Sequence, residues 1–104
     1  ITAFHETRHA YQCMVCELSM LDSEPIDRIV KWREELDNSI QPKGIVNEDF
    51  KYLNQDIEID AIAFSRFMLK KLIGVTINIS DIIKEKVLNR TQEIKDKYKN
   101  KFEN

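Results

Sequence analysis

The sequence has little glycine, proline or cysteine. Its 104 residues include two of each, whereas 33% are charged and 42% are apolar. So few turn-forming residues argue against a sheet-rich sandwich, and the apolar share argues against a disordered chain. We therefore expect one domain over residues 1–104, folded as a mainly α, compact bundle of about four helices with little or no sheet.

Other absences narrow the class of protein. No apolar run approaches the roughly 20 residues that a transmembrane helix needs, so we predict no membrane partner. A formal net charge of −2 with interspersed signs predicts no nucleic-acid partner. Cys13 and Cys16 form no disulfide framework, which predicts free, buried thiols and a cytoplasmic protein. The chain opens on Ile1 instead of Met, which suggests a fragment or a processed chain that could lack an N-terminal segment.

Apolar spacing and turn residues divide the chain into four predicted helices. These cover residues 2–20, 25–36, 55–73 and 80–101, with boundaries that are approximate. Gly74 is a natural stop for the third helix, and Ser80 is the expected N-cap of the fourth. The connections are a loop from Asn38 to Asn47, a short turn at 48–53 and a stretch at 75–79 that could be extended.

Helical periodicity predicts which side of each helix faces the core. The expected inward face of the first helix, widened by Tyr11 and Val15, is Ala3, Ala10, Met14, Leu18 and Leu21. The residues of that helix expected to face water are Arg8, Gln12 and Ser19. On the second helix, the residues expected to face the core, beside Trp32, are Ile26, Ile29, Val30, Arg33 and Leu36. On the fourth helix, the residues expected to face the core are Ile83, Val87, Ile94, Tyr98 and Phe102.

The first predicted helix carries the pattern His-Glu-x-x-His at residues 5–9, and its two histidines are the only ones in the chain. Residues four apart lie on one face of a helix, so His5 and His9 can direct two imidazole nitrogens at one point. Two such nitrogens are half of a tetrahedral zinc site, and Glu6 lies close enough to act on a water molecule there. Five residues can match by chance, so the hypothesis needs a third ligand.

Cysteine, aspartate and glutamate are the remaining candidates for the third ligand. Cys13 and Cys16 lie further along the histidine helix, where each turn adds about 5.4 Å, so Cys16 cannot reach an ion beside His5. Glu58 is the one charged residue on an otherwise apolar stripe of the third helix, where an unpaired carboxylate is costly. A simpler interpretation is that Glu58 lies at the start of the helix, where an acidic side chain interacts favourably with the helix dipole. Asp60 lies on the opposite side and cannot share an ion with Glu58, which we prefer.

These residues carry a resemblance to a known family. The two segments are His5-Glu6-Thr7-Arg8-His9 and Glu58-Ile59-Asp60-Ala61-Ile62-Ala63-Phe64-Ser65. They resemble the gluzincin-type zinc metallopeptidases and are most similar to the ImmA/IrrE-like group. The resemblance covers two helices and implies a fold like the helical part of a minimal zincin. It also implies a zinc cofactor held by His5, His9 and Glu58, and hydrolysis of a peptide or protein substrate by a zinc-activated water with Glu6 as general base.

Two departures from this family favour an alternative function. Ile62 occupies the position where the family has Asx, and no residues precede the motif to build the family's small sheet. The alternative is a non-catalytic helical binding or regulatory module with a relic or structural metal site. A third interpretation is a plain bundle in which His5 and His9 hydrogen-bond carboxylates. For a peptidase, Tyr52 is a candidate oxyanion stabiliser and the loop from residue 38 a candidate cleft wall.

Overall fold

Four α-helices account for most of the chain that the structure describes. The structure is a computed structural model that describes residues 2–38 and 54–102. The helices are α1 (Thr2–Leu18), α2 (Ile26–Asp37), α3 (Asp56–Ile73) and α4 (Lys84–Phe102). These two described ranges contain no strand, so the predicted mainly α bundle is confirmed. Tyr52, the turn at 48–53 and all of the predicted loop except Asn38 lie outside the described residues.

None of the described helices combines the length and the apolar character needed to cross a lipid bilayer.

The ends of α3 follow from local backbone chemistry. The first amides of a helix lack partners within it, and here Glu35 of α2 accepts hydrogen bonds from the amides of Asp56 and Ile57 at 2.7 and 2.9 Å. At the other end Gly74 adopts a left-handed φ of 71°, which ends the helix. The predicted stop at Gly74 is confirmed.

The helices α3 and α4 run in the same direction. The Lys86 ammonium near the start of α4 donates to the Asn54 side chain just before α3, and further along the two helices the rings of Phe67 and Tyr98 stack at 5.7 Å. The intervening residues 74–80 form neither helix nor strand. The α4 helix starts later than the predicted Ser80, because residues 81–83 form a turn before it.

Two apolar clusters hold the helices together, and α3 contributes to both. The first joins α1, α2 and α3 through Val15, Cys16, Ile29, Trp32 and Ile57. The second joins α3 to α4 and the turn before it through Ile59, Ala63, Ile83, Val87 and Ile94, with Tyr98 packed against it. The predicted inward set of the fourth helix is thus confirmed from Ile83 to Tyr98, and the side chain of Phe102 lies outside the description.

The predicted orientation of α1 is wrong. Of its expected inward residues, Val15 is buried and Tyr11 is partly buried as predicted, but five are exposed, namely Ala3, Ala10, Met14, Leu18 and Leu21. Arg8 and Gln12 were expected to face water, but they are 2% and 0% exposed, and of the three only Ser19 is exposed. The reason is that Arg8 and Gln12 find charged and polar partners on α3, which makes their burial favourable.

Two further predictions of burial need correction. In α2, Ile29 and Trp32 are buried and Leu36 is partly buried as expected, but Ile26, Val30 and Arg33 are exposed. Cys13 is exposed and only Cys16 is buried, because α2 packs on the side of α1 that carries Cys16.

Candidate metal centre

The two histidines of α1 meet one glutamate of α3. Nε2 of His5 lies 3.0 Å from Oε2 of Glu58, and Nε2 of His9 lies 3.1 Å from Oε1 of the same side chain. His5 and His9 share a face because they are one helical turn apart, and Glu58 lies in the first turn of α3 where that helix crosses α1. The structure therefore brings together the three residues predicted as metal ligands.

The donor set is compatible with a zinc ion. Each residue offers one ligand atom, and these atoms all lie within 4.8 Å of one another. A tetrahedral ion with bonds of about 2.0–2.2 Å places neighbouring donors roughly 3.3–3.6 Å apart, so a small outward shift of the side chains would admit it. Glu58 is buried, whereas the side chains of His5 and His9 are 23% and 24% exposed, which leaves the cluster open to solvent on one side.

Hydrogen bonds between the two histidines and Glu58 also stabilise the cluster without a bound ion. Burial alone would raise the pKa of Glu58, but hydrogen bonds from His5 and His9 outweigh it and lower the pKa to about 2. The hydrogen bond to Glu58 raises the pKa of His9, and burial only partly opposes this effect. Glu58 is therefore a carboxylate at neutral pH and can accept hydrogen bonds or bind a cation.

Gln12 fixes the orientation of the His9 ring. Its Oε1 lies 2.8 Å from Nδ1 of His9, and its Nε2 donates to Asp60 and to the carbonyl of Ile57, both at 2.8 Å. Because the amide nitrogen is committed to two acceptors, the amide oxygen faces the imidazole, and Nδ1 of His9 must carry a proton. Nε2 of His9 is then directed at the Glu58 side of the cluster, as a metal-ligating nitrogen requires.

Asp60 lies outside the cluster, in a buried ion network. Its oxygens accept two hydrogen bonds from Arg8, at 2.7 and 3.1 Å, and one from Arg90 of α4 at 2.7 Å. Burial raises the pKa of Asp60, but the hydrogen bonds and charges of Arg8 and Arg90 lower it overall. Of the two carboxylates considered as the third ligand, only Glu58 therefore contacts the histidines.

A second buried carboxylate, Glu24, extends this network towards α2. It accepts hydrogen bonds from Tyr11 at 2.6 Å, Arg28 at 2.9 Å and Lys97 at 3.0 Å. Burial raises the pKa of Glu24, and these donors reverse the effect and lower the pKa to about 2. The α4 helix thus holds α1 and α3 in place through Arg90 and Lys97 without supplying a residue to the histidine cluster.

Glu6 is exposed, and within the described residues it forms no hydrogen bond or ion pair. It is near enough to the cluster for its charge to contribute to the raised pKa of His9. Cys13 and Cys16 do not join the cluster. The residues that our sequence analysis missed are Arg8, Gln12, Glu24, Arg90 and Lys97, and only Gln12 carried a local signal, because it follows His9 by three positions on the same helical face.

Known proteins offer no relative against which to check this site. No family model matches the sequence, no curated protein matches it, and no solved structure matches the fold.

Proposed function

We propose that this chain is a zinc-dependent metallopeptidase of the gluzincin type, with His5, His9 and Glu58 as zinc ligands and Glu6 as general base. The observation that carries the proposal is the convergence of one carboxylate and two imidazole nitrogens within 4.8 Å, from two helices that are far apart in sequence. The glutamate between the histidines adds the group that peptide hydrolysis needs beside a zinc ligand set. The mainly α bundle is compatible with the helical part of such a peptidase.

Each residue of the proposed site has a distinct role. A bound zinc ion supplies Lewis acidity, which activates water and polarises the peptide carbonyl. His5, His9 and Glu58 hold the ion, and Gln12 keeps the His9 ring in the ligating orientation. Glu6 takes the proton of the attacking water and returns it to the leaving amine. Its exposure leaves the carboxylate accessible to both water and a peptide or protein substrate.

One observation favours the alternative, a binding or regulatory module with a structural metal site. A peptidase can hold an extended substrate by pairing it with a sheet edge, and residues 2–38 and 54–102 contain no strand that could do so. In this alternative the same three ligands hold zinc, but the ion stabilises the contact between α1 and α3 instead of acting on a substrate. The two functions therefore share a metal site and differ in the role of Glu6.

Metal analysis tests the site itself. We expect protein purified without added zinc to carry about one zinc ion per chain, and the variant Glu58→Ala to lose it. Glu17→Ala removes an exposed acid from α1 and serves as the matched control with full zinc content. If wild type and Glu58→Ala are both metal-free even after incubation with zinc, the metal site does not exist and both functions are excluded.

Hydrolysis separates the two functions. Using fluorescently labelled casein, we expect the zinc-loaded wild type to cleave and Glu6→Gln to keep its zinc while losing at least about 10²-fold in rate. Glu17→Gln is the control that should retain activity. Cleavage that survives in Glu6→Gln would remove Glu6 from the mechanism. If the zinc-loaded wild type cleaves neither casein nor a mixed peptide library, the peptidase proposal is rejected and the binding or regulatory module is the function that remains.

A further inference from the structure

A groove of about 670 Å³ lies between the second half of α3 and the segment of α4 from Leu88 to Lys99, separate from the histidine cluster. Five of its nine lining residues are cations and none is an acid. The cations are Arg66, Lys70 and Lys71 on α3 and Lys95 and Lys99 on α4. The chain has a net charge of −2, so removing these five positive charges leaves −7 on the rest of it. The groove is therefore a local concentration of positive charge on an otherwise acidic protein.

Among the described residues, most of these cations have no carboxylate partner. In the part of the chain that the structure describes, Arg66, Lys70, Lys95 and Lys99 form no ion pair, in contrast to Arg90, which contacts three acidic residues. Like charges gathered in one concave surface repel one another, and an anionic ligand relieves that repulsion. Solvent exposure accounts for isolated surface lysines but does not account for a groove lined by charges of one sign.

The groove is lined by both charged and apolar side chains. Arg66 and Lys70 on α3, and Lys95 and Lys99 on α4, are each four residues apart, a rise of about 6 Å. Since α3 and α4 run in the same direction, the two pairs form two roughly parallel rows. Phe67 and the exposed Leu88 are the apolar residues of the lining.

We propose that this groove binds an acidic amphipathic helical segment of a partner protein. Glutamates four residues apart on such a helix repeat at the same spacing of about 6 Å as the rows of cations, and its apolar side chains would contact Phe67 and Leu88. This occupant uses both the charged and the apolar parts of the groove. The site does not involve the metal, so it is independent of the proposed peptidase function.

A single-stranded nucleic acid fits the groove less well. Nucleobases bind proteins by stacking on open aromatic rings, but Phe67 already stacks on Tyr98 and carries the Lys71 ammonium 5.5 Å from its ring centroid. The phosphate backbone of a long single strand would also extend beyond the groove, onto the surface of an otherwise acidic protein that repels it. A short acidic peptide avoids both problems.

Fluorescence anisotropy of the full chain tests the proposal. The probe is a labelled helical peptide of roughly 16 residues with glutamates four apart and leucines on the opposite face. We expect saturable binding at about 50 mM salt that weakens at about 300 mM salt. Lys70→Gln/Lys95→Gln should weaken binding roughly tenfold. The matched control, Lys31→Gln/Lys84→Gln, removes two exposed charges outside the groove and should bind like wild type, with circular dichroism confirming that both variants fold.

Three outcomes would overturn the proposal. They are no saturable binding of the peptide at low salt, equal weakening by the groove variant and its control, and tighter binding of a single-stranded oligonucleotide of the same charge. The last outcome would identify the groove as a nucleic-acid site instead.

Discussion

Nδ1 of His9 lies 2.8 Å from Oε1 of Gln12, one turn further along α1, and Gln12 is in turn held by Asp60 of α3. This relationship connects the proposed zinc ligand to the buried ion network by a single amide. The network consequently sets the direction of the His9 imidazole.

Replacing Gln12 with Met should weaken zinc binding. Met keeps the length of the side chain but accepts no hydrogen bond of comparable strength, so the His9 ring loses its fixed orientation. We expect zinc affinity, measured by competition with a chromophoric chelator on folded protein, to fall by roughly 10- to 100-fold. Gln92→Met, on the exposed side of α4, is the control and should bind zinc like wild type. Equal affinities for Gln12→Met and wild type would show that Gln12 does not position His9.

Replacing Asp60 with Asn should strongly destabilise the fold. The change removes the buried charge that Arg8 and Arg90 share. Arg90 keeps its contacts with Glu24 and Glu93, but the buried Arg8 guanidinium loses the carboxylate with which it pairs. We expect the free energy of unfolding in urea to fall by roughly 3–5 kcal/mol. Asp56→Asn, on the same helix, affects only an exposed pair with Lys31 at 3.8 Å and should cost less than about 1 kcal/mol. Similar losses in the two variants would mean that the buried network stabilises no more than a surface pair.

The stability contributed by Glu24 should depend on pH in one direction. Its pKa is lowered to about 2 from an ordinary 4.5, so the folded state binds a proton less readily than the unfolded state. The contribution is therefore complete above pH 4.5 and is lost as the pH falls towards 2. The difference in unfolding free energy between wild type and Glu24→Gln should shrink by roughly 3 kcal/mol over this interval. A difference that is constant with pH would contradict the assignment.

The two cysteines should react at different rates. Cys13 is exposed, whereas Cys16 is buried against α2, where burial raises the pKa of its thiol. We expect one thiol of the native chain to react rapidly with a thiol reagent, and the second to react only on unfolding. Cys13→Ser should remove the fast reaction, and Cys16→Ser should leave it. Two fast thiols in the native wild type would place Cys16 at the surface.

Signals that act within a few residues predicted much of the fold from sequence. Gly74 ends α3 because its left-handed backbone conformation suits glycine, and this choice is visible in the sequence. The apolar spacing of Ile83, Val87 and Ile94 likewise predicted the buried side of α4 correctly. The proposed metal ligands were found in the same way, because two histidines four apart and one acid on an apolar stripe are local patterns.

The orientation of α1 could not be predicted from such patterns. A wheel counts Arg8 and Gln12 as solvent-facing, yet both are buried because Asp60, on a helix about 50 residues later, satisfies their donors. The apolar residues on the other side of the helix, Met14 and Leu18 among them, stay exposed as a result. No local pattern around Arg8 predicts that it pairs with Asp60, so the rotation of the helix depends on a long-range charge pair.

The contacts of α4 have a consequence for the order in which the protein assembles. Lys97 contacts Glu24 and Tyr11, 73 and 86 positions earlier in the chain. Closing loops of this length costs conformational entropy before the contacts are gained, which slows folding relative to bundles with local contacts only. On the ribosome, α1, which carries both histidines, is synthesised before α4. It therefore reaches its final packing only after α4 has emerged and neutralised the buried acids.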